Sequence, residues 1–102
     1  MEKLTLATNV SANNVQALRE LFKQHLQDGV RSLELDFRQV ESIDSVGIGL
    51  LVATHNSLAK AGGSLALVNV SQDIHQLFTL MRLDKHFSVS QANAANAADA
   101  EG

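Results

Sequence analysis

The way two hydrophobic periods alternate along this chain constrains its fold most. Apolar residues two apart mark a half-buried strand, and apolar residues three and four apart mark a half-buried helix. Leu4-Thr5-Leu6-Ala7-Thr8 has the first period; Val15, Leu18, Phe22 and Leu26, with Leu21 beside them, have the second. Ser11, or Asn13 paired with Gln16 as in a capping box, would start that helix, and Gly29 stops it. Leu33, Leu35 and Phe37 return to period two, interleaved with Glu34 and Asp36. Gly47 to Ala61 reads as a second helix ended by Gly62-Gly63, and Leu65-Ala66-Leu67-Val68-Asn69-Val70 as a third strand. Ser71 caps a third helix carrying Ile74, Leu77, Phe78 and Met81, and His86-Phe87-Ser88-Val89 forms a last strand.

The order β-α-β-α-β-α-β points to an α/β fold with largely parallel strands and right-handed crossovers. A parallel strand covered on both faces would be almost wholly apolar. Glu34 and Asp36 break that rule on one side of the second strand, so the helices are expected mainly on the other side. The expected architecture is a small, mixed but mostly parallel sheet with helices mainly on one face. The chain's 102 residues suit one domain, placed at residues 1–90. Residues 91–102 are an Ala/Asn-rich stretch with nothing to bury, expected to be a disordered tail.

Composition removes several classes of function. No apolar run nears the roughly 20 residues that span a bilayer, so no direct membrane insertion is expected. The start, Met1-Glu2-Lys3-Leu4, is unlike a secretory signal, which favours a cytoplasmic place. There is no cysteine for disulfide or thiol chemistry. With a net charge of −3 and scattered Lys and Arg, no nucleic-acid footprint is visible.

The chemistry concentrates in Asp44-Ser45-Val46-Gly47-Ile48-Gly49-Leu50-Leu51. It puts a hydroxyl at a helix start, where backbone N–H groups and the positive end of the dipole favour an added anion. Ser45 reads in two compatible ways, as the cap of that helix or as a modification site. The run is not a P-loop or a dinucleotide fingerprint, and it lacks the nucleophile elbow of a hydrolase. His55, two turns along the helix, is too far away to act as a base for Ser45. His25, His55, His75 and His86 have no metal-ligand spacing, and no acidic pair accompanies Asp44 to hold magnesium. The expectation is a binding module with no catalytic residue, metal or cofactor of its own. Of Val46 and Ile48, at least one is expected in the core.

These residues resemble the STAS domain family, more narrowly its bacterial anti-sigma-factor antagonists. That signature is a strand, an Asp-containing turn and Asp-Ser-(Ser/Thr)-Gly-Leu-Gly opening a helix, with Val46 standing here where Ser or Thr is common. The stretch from Ile74 to Val89 also resembles the family's last helix and strand. The resemblance implies a partner that is both a serine protein kinase and an anti-sigma factor, with Ser45 as the phosphate acceptor. It implies binding while Ser45 is unmodified, release on phosphorylation, and reversal by a PP2C-type serine phosphatase. Asp44, Val46, Gly47 and Ile48, with Asp36 and Asn9 nearby, would be the contact surface. The family also implies an alternative, a non-switching STAS scaffold subunit of a larger assembly such as a lipid or anion transporter.

Overall fold

The computed structural model describes residues 2–91, so the tail placed at 91–102 lies outside it except for Gln91. The elements are β1 (Glu2–Thr5), α1 (Val15–Gln27), β2 (Leu33–Asp36), α2 (Ser45–Lys60), β3 (Leu65–Val70), α3 (Gln72–Leu80), a 3-10 turn (Leu83–Lys85) and β4 (Ser88–Gln91). The strands lie in the order β1-β2-β3-β4, and every pairing between them is parallel. Each crossover therefore steps one strand in the same direction. A constant right-handed step keeps all the crossover helices on one face.

Burial shows the same two faces. Leu33, Leu35, Leu65 and Leu67 point into the core, while Glu34, Asp36, Ala66 and Val68 are half-buried on the other side. The helices close the core with Leu18 and Phe22 from α1, Leu50, Leu51 and Leu58 from α2, and Ile74 and Phe78 from α3. Phe78 meets Phe37 edge-on at 6.5 Å and Phe87 at 6.1 Å, the crossed geometry that aromatic quadrupoles prefer.

Four elements have boundaries that differ from the periodicity. β1 runs over Glu2–Thr5 and stops before Thr8. Its register pairs Thr5 with Asp36, where β2 ends, and after one more bond from Leu6 N–H to the Asp36 carbonyl there is no partner left. β4 starts at Ser88 because Arg82, at φ 61°, and the 3-10 turn use up the chain before it, although Phe87 is buried. β4 then takes Gln91, the first residue assigned to the tail. α1 is capped by Asn14, without a side-chain cap bond, in place of Ser11 or Asn13. α2 opens at Ser45, two residues before Gly47.

Candidate functional site

α2 starts where the chain leaves the C-terminal end of β2 and turns back over the sheet. Its N-cap is Asp44, not Ser45. Asp44 Oδ1 accepts from the Gly47 N–H at 2.9 Å. Its Oδ2 accepts from the Ala12 N–H at 2.9 Å, across 32 residues of sequence. These backbone donors, Ala12 first and Gly47 second, hold the Asp44 carboxyl below its usual range, so it carries its charge at neutral pH. Ser45 is the first helical residue. It is exposed, and among the described residues its hydroxyl makes no hydrogen bond. The capping role is thus taken by its neighbour, and the hydroxyl is left over.

The loop before α1 is clasped to this helix start. Val10 forms an isolated parallel bridge with Ile43. Val10 N–H donates to the Ser42 carbonyl at 3.2 Å, and Asp44 N–H donates to the Val10 carbonyl at 3.2 Å. Asn9 Oδ1 accepts from the N–H groups of Glu41 at 2.8 Å and Ser42 at 3.2 Å. The Asn9 carbonyl accepts from the Asn14 side chain at 3.0 Å. Gly47 lies against this clasp. A Cβ on Gly47 would come within 2.0 Å of the Val10 carbonyl oxygen, so the glycine is needed for backbone approach. A Cβ on Gly49 would meet nothing within 4 Å.

The other residues singled out from the sequence fall into place separately. Val46 is 45% exposed beside Ser45, while Ile48 is buried. Asp36 is occupied at the end of β2. Its Oδ1 accepts from the Arg38 N–H at 2.9 Å and from the Asn69 side chain at 3.1 Å, and its Oδ2 pairs with Arg38 at 3.5 Å. It braces the ends of β2 and β3 and has no bond to Asp44. The structure therefore brings together Asn9, Asp44, Ser45, Val46 and Gly47, with Asp36 on the adjoining strand end. Sequence reading missed Val10 and Ala12, because contacts between residues so far apart in the chain leave no local signature. His55 packs its ring against His86 and Phe87, away from Ser45. Among the described residues no cluster of three or more His, Cys, Asp or Glu could hold a metal ion, and no helix is long and apolar enough to cross a membrane.

A sequential parallel sheet with a serine exposed at the start of its second helix defines the class. The family profile described as "Mlab, STAS domain" matches residues 2–90, and the chain belongs to the STAS domain family. It is 28% identical over 88 residues to the anti-sigma-B factor antagonist of Bacillus subtilis, covering 86% of this chain and 80% of that one. It is 32% identical over 65 residues to a Thermotoga maritima protein provisionally named an anti-sigma factor antagonist, covering 64% of this chain and 58% of that one. A crystal structure of a Thermotoga maritima protein of the same provisional name superposes with a TM-score of 0.82 at 23% identity, over 98% of this chain and 86% of that one. The murine Slc26a9 anion transporter contains the same fold, with a TM-score of 0.64 at 22% identity, over 76% of this chain and 13% of that one.

Proposed function

We propose that this chain is an anti-sigma factor antagonist that works by partner switching, with Ser45 as its switch. Unmodified, the start of α2 docks on an anti-sigma factor that is also a serine protein kinase. Phosphorylation of Ser45 ends that docking, and a PP2C-type serine phosphatase restores it. The names of the relatives support the general role. The observation that carries the switch is the exposed Ser45 hydroxyl, free because Asp44 does the capping.

The electrostatics support the direction of the switch. A phosphate brings about −1.5 to −2 charge. It would sit next to a carboxylate that hydrogen bonds keep ionised. The positive end of α2 would offset about 0.3–1 kcal/mol at an exposed site, and Asp44 already occupies the Gly47 N–H there. The modified helix start is strongly anionic, and docking it against a partner would require desolvating that charge. Val46, half-exposed beside Ser45, supplies the apolar part of the unmodified contact.

Ser45→Ala tests this directly, since no cap is lost with the hydroxyl. The variant should bind the kinase constitutively and take up no phosphate. Intact mass of the native protein, with and without phosphatase treatment, should differ by one phosphate on the Asp44–Leu51 peptide. A second reading, a non-switching STAS subunit of a transport assembly, has the fold shared with Slc26a9 behind it. In that case Ser45→Ala changes nothing and the native chain carries no phosphate.

A further inference from the structure

Beyond the helix start, α2 has an unusual outer surface. From Ser45 through Ala59 it contains no Asp, Glu, Lys or Arg, yet Val46, Gly49, Ala53, Asn56 and Ser57 are exposed. An exposed helix is ordinarily charged on its outer face, whereas the centres of protein interfaces are depleted of charge. Beside this surface runs a groove of about 230 Å³ between α1 and α2. Phe22, Leu26 and Leu50 form its floor, and Arg19 and Lys23 stand on its α1 wall. The Thr54 hydroxyl beside it is consumed by the Leu50 carbonyl at 2.8 Å, so it adds no polar demand.

The two cations are spaced i, i+4 and share one face of α1. Among the described residues the one Lys or Arg in an ion pair is Arg38, with Asp36, and neither Arg19 nor Lys23 takes part. Glu20, the one carboxylate on α1, stands three residues before Lys23 but makes no ion pair with it and does not line the groove. An apolar trough walled by two cations that pair with no described residue, in a protein of net charge −3, is complementary to an apolar side chain flanked by carboxylates.

We propose that the α1–α2 groove is a second docking site for the partner protein, which it receives as an acidic amphipathic helix. An aliphatic anchor enters between Phe22 and Leu50, and the helix's carboxylates face Arg19 and Lys23. The site rests on the partner-binding reading of α2 but is independent of phosphate on Ser45. It gives the partner a foothold along the length of α2, and the charge of the groove sets which partners are accepted.

Two blocked helical peptides serve as probes in a ¹⁵N NMR titration. One carries leucines one turn apart flanked by Glu, and the other has Lys at every Glu position. The acidic peptide should shift the amides of Lys23, Leu26, Ala53 and Ser57, and the basic peptide should shift none of them. Arg19→Glu with Lys23→Glu should weaken the acidic peptide about tenfold or more, and so should Ala53→Glu, which keeps both cations but sets a carboxylate in the groove they wall. Melting curves establish that both variants fold. The proposal is overturned if the acidic peptide leaves the groove amides unmoved, if both peptides bind alike, or if binding survives both variants. The titration uses unphosphorylated protein and reads no phosphate, so failure here is separable from failure of the phosphate switch.

Discussion

α2 and α3 each begin beyond the C-terminal end of a parallel strand, α3 directly after β3 and α2 after a loop from β2, yet the two helix starts spend their hydroxyls differently. At α3, Ser71 is the cap, and its Oγ accepts from the Ile74 N–H at 3.3 Å. At α2 the cap is Asp44, and Ser45 is pushed one position into the helix with its hydroxyl unused. Among the described residues, the α3 start is held by its own side chain alone. The α2 start is clasped by Val10 and Ala12 from a distant loop. One serine is committed to stability and the other is available for chemistry. The aspartate makes that difference: it caps the helix and holds the clasp with its two oxygens.

The comparison breaks most severely at Gly47. Gly47→Ala forces a Cβ against the Val10 carbonyl, so the clasp or the helix must move. Overpacking of this kind costs about 1–3 kcal/mol, and the midpoint of urea unfolding should fall accordingly. A melting temperature equal to that of the native protein would mean that the two backbones do not meet. Next comes the pair of serines. Ser71→Ala should cost about 1 kcal/mol, the usual worth of a cap, and Ser45→Ala should stay within about 0.5 kcal/mol. Equal losses in the same denaturant titration would erase the distinction drawn between them.

Gly49→Ala sharpens the contrast within α2. No atom obstructs the new methyl, and alanine is favoured over glycine in a helix by about 0.5–1 kcal/mol. Stability should therefore rise in calorimetry, and a loss would expose a contact not seen here. The smallest effect is in the pH dependence. Because the Asp44 carboxyl is held low in the folded state, its contribution is present above the ordinary Asp value of 3.8 and is lost as pH falls through the lowered one. Melting temperatures of the native protein and Asp44→Asn should thus converge as pH drops from about 6 towards 3. A gap that widens on acidification would contradict the assignment.

Much of this was legible in the residues themselves. β3 lies where Leu65–Val70 alternate, and Ser71 caps α3 as its position before Ile74 implied. The parallel order followed from the alternation of periods, and Glu34 and Asp36 marked the partly covered face, where both are half-buried. The acidic member of the Asp44-Ser45 pair was harder to read, because both residue types cap helices well. Backbone amides of Ala12 and Gly47 decided for Asp44, and Ala12 is brought there only by the fold. Gly47 and Gly49 looked alike in sequence, and only the Val10 carbonyl distinguishes a required glycine from an unobstructed one. Asn9 and Asp36 were expected beside the site, and their side chains are engaged by Glu41, Ser42, Arg38 and Asn69.

The sequential strand order has one further consequence, for solubility. Among the described residues, a sheet built by stepping always outward, and never closed, keeps a free border at each end. Unpaired borders invite pairing with other chains and, from there, aggregation. Here each border strand is only four residues long. One carries Glu2 and Lys3, and the other is Ser88-Val89-Ser90-Gln91, with a register break against its neighbour. Shortness, charge and irregularity fall on the two outer strands, while the longer, more apolar strand, Leu65–Val70, lies inside the sheet with a neighbour on either side.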